Sequence, residues 1–182
     1  MPDDTIPALA YTGLAPALAE DVVRCLAARK KMIAAAESCT AGLASDFIAR
    51  VPGASNVFWG SFVSYTPDAK QKMLGVQAEL LEKHGAVSRP VALAMAGSAL
   101  EKSGAFWAFS ITGFAGPDGG ELPVGTVWVG IAGRDGRPLD GKPSGCVYSD
   151  AKMFHFGGSR NEVREAAAAV ALQELLERIN RT

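Results

Sequence analysis

The sequence predicts an α/β domain, a three-layer α/β/α arrangement in which a mixed, mostly parallel sheet lies between helices. Three observations carry that expectation. Apolar runs at Met32 to Ala36, Val57 to Tyr65 and Phe106 to Thr112 have the length of buried strands, and segments of helical spacing separate them. Two further apolar runs, Val124 to Ala132 and Cys146 to Phe156, flank a polar, turn-rich stretch from Gly133 to Lys142, which predicts a long hairpin. A strongly periodic segment closes the chain. Strands alternating with helices, then a hairpin and a last helix, describe a sheet covered on both faces.

Taken in order, Leu14, Leu18, Val22, Cys25 and Leu26 recur at helical spacing, and the strand at Met32 to Ala36 follows. The next helix carries Leu43, Phe47, Ile48 and Val51 and stops at Pro52-Gly53. After the strand from Val57 to Tyr65, Thr66-Pro67 supplies an N-cap and a proline at the first helical position, where a missing N–H costs nothing. Gln77 to Lys83 reads as helix, and Ser88-Arg89-Pro90 opens another through Val91, Met95, Ala99 and Leu100. The strand from Phe106 runs into Gly113 to Gly120, too rich in glycine for helix or strand. Ser159-Arg160-Asn161-Glu162 matches a capping box, and the helix it opens buries Val163, Ala167, Val170, Ala171, Leu175 and Ile179.

At 182 residues the chain has the size of one domain and shows no linker, so the expected layout is a flexible N-terminal arm over 1–13 and one domain over 14–182. Hydrophobic residues at 48% and charged ones at 20% exclude a disordered chain. A formal net charge of -1 provides no overall field for nucleic acid or anionic lipid, so the expected partner is a small molecule held locally. Acidic residues follow Met1-Pro2 where a secretory signal would be basic, and no run approaches the roughly 18 apolar residues of a membrane span. Cys25, Cys39 and Cys146 are odd in number and far apart, which points to a reducing cytoplasm. His84 and His155 stand alone, so no transition-metal site is expected, and no organic cofactor motif is present.

Three segments fall at the carboxyl ends of expected parallel strands, where sheets of this kind bind ligands. Ser38, in Glu37-Ser38-Cys39-Thr40, stands at a helix start whose amides favour a developing oxyanion; the plainer reading is capping by Ser38 or Thr40. Cys39 competes with Ser38 as nucleophile, since a thiol at a helix start can be acidified. Lys70 is a proton acceptor only where burial disfavours its ammonium, and otherwise a solvated helix residue. Tyr65 relays a proton or orients that lysine, or is a strand-end aromatic in water. The loop from Gly113 to Gly120 is either an anion-binding nest or a plain connector, and it lacks both GxxxxGK[ST] and GxGxxG. Arg160 and Arg164 are candidate phosphate contacts or solvated surface arginines.

Ala36-Glu37-Ser38-Cys39-Thr40-Ala41-Gly42, Val51-Pro52-Gly53-Ala54-Ser55, Val63-Ser64-Tyr65 followed by Ala69-Lys70, and Leu74-Gly75-Val76 together resemble the CinA C-terminal domain family. His84-Gly85-Ala86-Val87-Ser88, the run from Thr112 to Gly120, Pro123-Val124-Gly125-Thr126-Val127 and Val163-Arg164 extend the likeness over nearly everything after residue 30. Single-domain members are known as nicotinamide-nucleotide amidohydrolases. The resemblance implies hydrolysis of the carboxamide of nicotinamide mononucleotide, without metal or organic cofactor, and a homodimer or higher homo-oligomer. It implies Ser38 as nucleophile, Lys70 with Tyr65 moving protons, and amides of Thr40, Ala41 and Gly42 around the oxyanion. Thr112, Gly113, Gly116, Gly119 and Arg164 would then hold the pyridine mononucleotide. The alternatives are an amidase for another small amide and a nucleotide-binding or interaction module without catalysis. Larger relatives carry a further N-terminal domain of the molybdopterin-binding type, whose pyrophosphatase activity is not carried over. The sequence departs from the family at Ala41, a frequent glycine, at Pro67, a frequent asparagine, and in a shortened loop at Gly120-Glu121-Leu122-Pro123.

Overall fold

The computed structural model describes residues 5–120, 122–134 and 148–181. Its strands are β1 (Ile6–Pro7), β2 (Ile33–Glu37), β3 (Phe58–Val63), β4 (Trp107–Gly113), β5 (Thr126–Gly133) and β6 (Tyr148–Gly157). The helices are α1 (Ala15–Arg29), α2 (Leu43–Ala49), α3 (Pro67–Leu74), α4 (Ala78–His84), α5 (Arg89–Ser103) and α6 (Arg160–Asn180). One sheet runs in the order β1-β6-β5-β4-β2-β3. β2 pairs parallel with both β3 and β4, β1 parallel with β6, and β5 antiparallel with β4 and β6. Only β5 therefore opposes the other five, which is the mixed, mostly parallel sheet expected. Cys146 and the turn before it lie outside the described residues.

β2 shows how the layers form. All five of its residues are buried, and their side chains alternate between faces. Ile33 and Ala35 join the core under α1, α2 and α6, whereas Ala34 and Ala36 join the core under α4 and α5. α6 anchors the first layer: Ala166 to Leu172 are buried all round, since the sheet lies on one side and α1 and α2 on others. Leu172, Leu175 and Ile179 are each fully enclosed, contributing about 1.5–3 kcal/mol apiece by area removed from water. Glu162 reaches back to the Ser159 amide at 2.6 Å, completing the capping box read from the sequence.

Residues expected as a loose arm are tied down where they are described. Ile6–Pro7 pair with Phe156 and Gly157 of β6, Ala8 is 1% exposed, and Ala8–Tyr11 form a 3₁₀ turn. A two-residue strand has no periodicity to read, which is why this edge escaped the sequence pattern. Among the described residues no helix is long and apolar enough to cross a membrane.

Two small-residue positions set the local geometry. At Gly130 of β5 a Cβ would lie 2.6 Å from Ser110 Oγ and 2.7 Å from the Ala92 carbonyl of α5, so the missing side chain is what lets α5 approach the sheet. Ala41 sits at φ 51, in the left-handed region that glycine occupies without penalty, and Gly42 follows at φ 93 to start α2. Gly130→Ala should lower stability by about 1–3 kcal/mol through overpacking, measured by urea unfolding. Ala41→Gly should raise it by about 0.5–1 kcal/mol in the same experiment, the strain relieved exceeding the freedom added to the unfolded chain.

Candidate active site

β2 is the switch point of the sheet, because the chain leaves it through α2 to β3 on one side and returns through α3 to α5 to β4 on the other. Crevices outside the carboxyl ends of strands open at such points. Here the Ser38 amide donates to the Ile111 carbonyl at 2.9 Å, and the Ser64 amide to the Glu37 carbonyl at 2.8 Å, so Ser38 is held between the ends of β4 and β3. A cleft of about 340 Å³ opens beside it, lined by Ser38, Cys39, Tyr65, Lys70, Phe114 and Arg160, among others. That volume lies within the roughly 300–1,000 Å³ usual for small-molecule sites.

Strand alternation sends Glu37 and Ser38 to opposite faces. Glu37, on the side of Ile33 and Ala35, is fully buried, and its carboxylate accepts from the amides of Gly42 at 3.0 Å, Ala44 at 3.2 Å and Ser45 at 2.9 Å, and from the Ser45 hydroxyl. This carboxylate caps α2. Capping by Ser38 or Thr40 is therefore corrected: Thr40 Oγ1 is buried without a partner, and Ser38 Oγ is engaged elsewhere. A charge directly after an apolar run, in phase with the face that α2 covers, was the signal available for Glu37.

On the other side of β2, Lys70 arrives from α3. Thr66 caps that helix by accepting from the Ala69 amide at 3.1 Å, and Lys70 and Leu74 are its buried face. Lys70 is 1% exposed, and its Nζ donates to Ser38 Oγ at 2.7 Å and to the Ser64 carbonyl at 3.0 Å. Both partners are uncharged. Burial lowers the amine from its ordinary 10.5 to about 8, opposed only by the neighbouring Cys39 thiol. Burial acts on Cys39 in the opposite sense and raises its thiol to about 11; Lys70 counters the rise and Glu37 adds to it. The acidified thiol weighed from the sequence is thus reversed, and near neutral pH Cys39 is a protonated bystander at the cleft wall.

Several expected contacts are redistributed. The Tyr65 carbonyl accepts from Ser38 Oγ at 3.3 Å, whereas the Tyr65 hydroxyl accepts from Arg160 at 2.7 Å instead of meeting the lysine. Arg160, which also donates to the Gly116 carbonyl, faces the cleft. Arg164, expected on substrate, lies outside the cleft lining and donates to the carbonyls of Cys39 at 3.1 Å and Thr40 at 3.0 Å. The amides expected to serve an oxyanion are partly spent, Ala41's on the Ser38 carbonyl and Gly42's on Glu37. Those of Cys39 and Thr40 make no backbone hydrogen bond. Thr112 and Gly113 do line the cleft, with Thr112 Oγ1 donating to the Ala86 carbonyl at 2.8 Å. A Cβ at Gly113 would meet the Thr126 carbonyl at 2.7 Å, and one at Gly119 the Leu122 carbonyl at 2.7 Å, so both glycines answer to close chain packing. Gly116 lines the cleft and Gly119 does not. Among the described residues no three His, Cys, Asp or Glu side chains gather as a metal site.

A "CinA-like protein" of Chlorobaculum tepidum is 44% identical over 164 residues, which cover 89% of this chain and 37% of that relative. The chain spans a similar third, 36% and 35%, of relatives from Anaeromyxobacter. The nicotinamide-nucleotide amidohydrolase PncC of Escherichia coli K12 is 42% identical over 160 residues, covering 87% of this chain and 90% of that protein. Among solved structures, a competence/damage inducible protein of Agrobacterium tumefaciens superposes with a TM-score of 0.82 at 38% identity, over 92% of this chain and 96% of its own. The family model described as the CinA C-terminal domain matches residues 15–179, and the chain belongs to that family.

Proposed function

We propose that this protein is an amidohydrolase that cleaves the carboxamide of nicotinamide mononucleotide to nicotinate mononucleotide and ammonia, with Ser38 as nucleophile and Lys70 as general base. The 2.7 Å contact between a buried amine and the Ser38 hydroxyl carries this reading, and the likeness to the Escherichia coli amidohydrolase supports its substrate. A neutral amine donates one proton to the Ser64 carbonyl and offers its lone pair to Ser38 Oγ–H, while the same nitrogen as ammonium donates to both oxygens.

In the proposed sequence, Lys70 takes the Ser38 proton as Oγ bonds to the carboxamide carbon, and the carbonyl becomes an oxyanion. The C–N bond then breaks as the ammonium returns that proton to the leaving nitrogen, which departs as ammonia. Water adds to the acyl-enzyme, gives its proton to Lys70, and the ester bond to Oγ breaks. Ser38 regains its proton and nicotinate mononucleotide leaves. While Lys70 is an ammonium the Ser38 hydroxyl donates to the Tyr65 carbonyl, and its proton turns to the amine once the amine is neutral; the Tyr65 hydroxyl accepts from Arg160 at the cleft, where the guanidinium would meet the phosphate. Pro67, one of the departures from the family pattern, lines the cleft, which favours a second reading, an amidase for another small amide. A substrate panel read by ammonia release separates the two.

Ser38→Ala should reduce ammonia release from the mononucleotide by about 10³-fold or more, and unchanged turnover would overturn the assignment. Because the amine must be neutral, kcat/KM should rise with pH through a midpoint near 8. Lys70→Met should abolish that rise and nearly all activity. The same substitution should stabilise the fold at pH 7. Between pH 8 and 10.5 the unfolded chain binds the Lys70 proton more tightly than the folded one, so wild-type stability climbs with pH across that window. Below it the buried ammonium costs up to about 3 kcal/mol, and urea unfolding at pH 7 and pH 10 should show the advantage of Lys70→Met narrowing.

A further inference from the structure

We infer that Arg164 is a positioning residue for the reaction, one that holds and polarises the turn following Ser38 and never touches substrate. The inference rests on the reading of Ser38 as the attacking group. Arg160 and Arg164 stand one turn apart on α6, yet they serve different surroundings. Arg160 lines the cleft, whereas Arg164 is committed through all three guanidinium nitrogens, Nε to the Cys39 carbonyl, one terminal nitrogen to the Thr40 carbonyl and the other to Asn161 Oδ1 at 3.2 Å.

Those two carbonyls belong to the two residues directly after the nucleophile. A cation on a carbonyl oxygen draws electron density through the peptide and strengthens the N–H at its other end as a donor. For the Cys39 carbonyl that N–H belongs to Thr40. For the Thr40 carbonyl it belongs to Ala41, whose amide donates to the Ser38 carbonyl at 2.9 Å and so passes the polarisation on to the Cys39 N–H. Neither the Cys39 nor the Thr40 amide has a backbone acceptor, while Ala41 donates to the Ser38 carbonyl and Gly42 to the Glu37 carboxylate. An oxyanion formed at Ser38 needs donors fixed before it appears, since reorganising them during the reaction would forfeit the gain. Glu37 grips the far end of the turn through the Gly42, Ala44 and Ser45 amides, and Arg164 grips the near end from α6. The turn is thereby stretched between an anion on its amides and a cation on its carbonyls, and the Cys39 and Thr40 N–H groups are left for the reacting carbonyl.

The test is steady-state kinetics of ammonia release from nicotinamide mononucleotide by Arg164→Ala and Arg164→Lys, with Ser38→Ala alongside. Arg164→Ala should lower kcat by about 10²-fold, the scale of losing one oxyanion donor, with KM changed less than threefold and the pH midpoint near 8 retained. Arg164→Lys should recover part of kcat, because an ammonium reaches one carbonyl, and added guanidinium ion should partly rescue Arg164→Ala. A tenfold rise in KM with kcat preserved would make Arg164 a substrate contact and overturn the inference, as would unchanged kinetics or a displaced pH midpoint. If Arg164→Ala fails to fold by urea unfolding, the kcat and KM of Arg164→Lys decide by the same criteria. A dead Ser38→Ala beside a fully active Arg164→Ala overturns this inference alone; full turnover by Ser38→Ala overturns the parent reading with it.

Discussion

A lysine amine stripped of water and given no counter-anion is the constraint around which the cleft is arranged. Lys70 meets only a hydroxyl and a carbonyl, and a carboxylate in place of either would restore its ordinary proton affinity. The single buried carboxylate of the neighbourhood, Glu37, is consumed by amides on the opposite face of β2. Strand alternation is what keeps these two groups apart. Glu37, the last residue of β2, and Ser38, the residue after it, serve different layers: one builds the helix start and the other meets the amine.

The same separation sets what this cleft costs in stability. Charges buried without partners are costly, and folds retain them where function requires it. The losses at Lys70 and at left-handed Ala41 are local, and they are offset by the packing of α6 against the sheet, where a run of small residues lets α1, α2 and α6 approach closely. The apolar frame is rigid so that one polar contact near its rim can be unfavourable.

Much of this architecture was legible in the residues, because the signals were local. Thr66-Pro67 starts a helix wherever it occurs in such a context, Ser159 and Glu162 are a sequence pattern with one geometric meaning, and the apolar runs became β2, β3 and β4 within a residue or two at most ends. The meeting of Ser38 with Lys70 followed from both lying at strand ends, although burial of a lysine on a short helix is a tertiary outcome that spacing alone leaves open. Contacts across long separations were the hard part. Tyr65 exchanges its hydroxyl for a carbonyl at Ser38 because Arg160, 95 positions later, claims the hydroxyl. Arg164 looked like a phosphate ligand because nothing local shows that its guanidinium is taken by carbonyls 124 and 125 positions earlier. The glycines after β4 read as a ligand cradle, yet Gly113 and Gly119 are demanded by neighbouring main chain.

The position of β3 at the border of the sheet has a further consequence. It is laddered to β2 alone, and the wall bearing Tyr65 and Lys70 hangs from its far end. A border strand is laddered on one side only, so fewer main-chain hydrogen bonds hold it than hold an inner strand. Separation of β3 from β2 would admit water to the amine and return its proton affinity toward the ordinary 10.5. In the proposed reaction the lowered proton affinity of Lys70 therefore depends on one outer strand staying closed against β2.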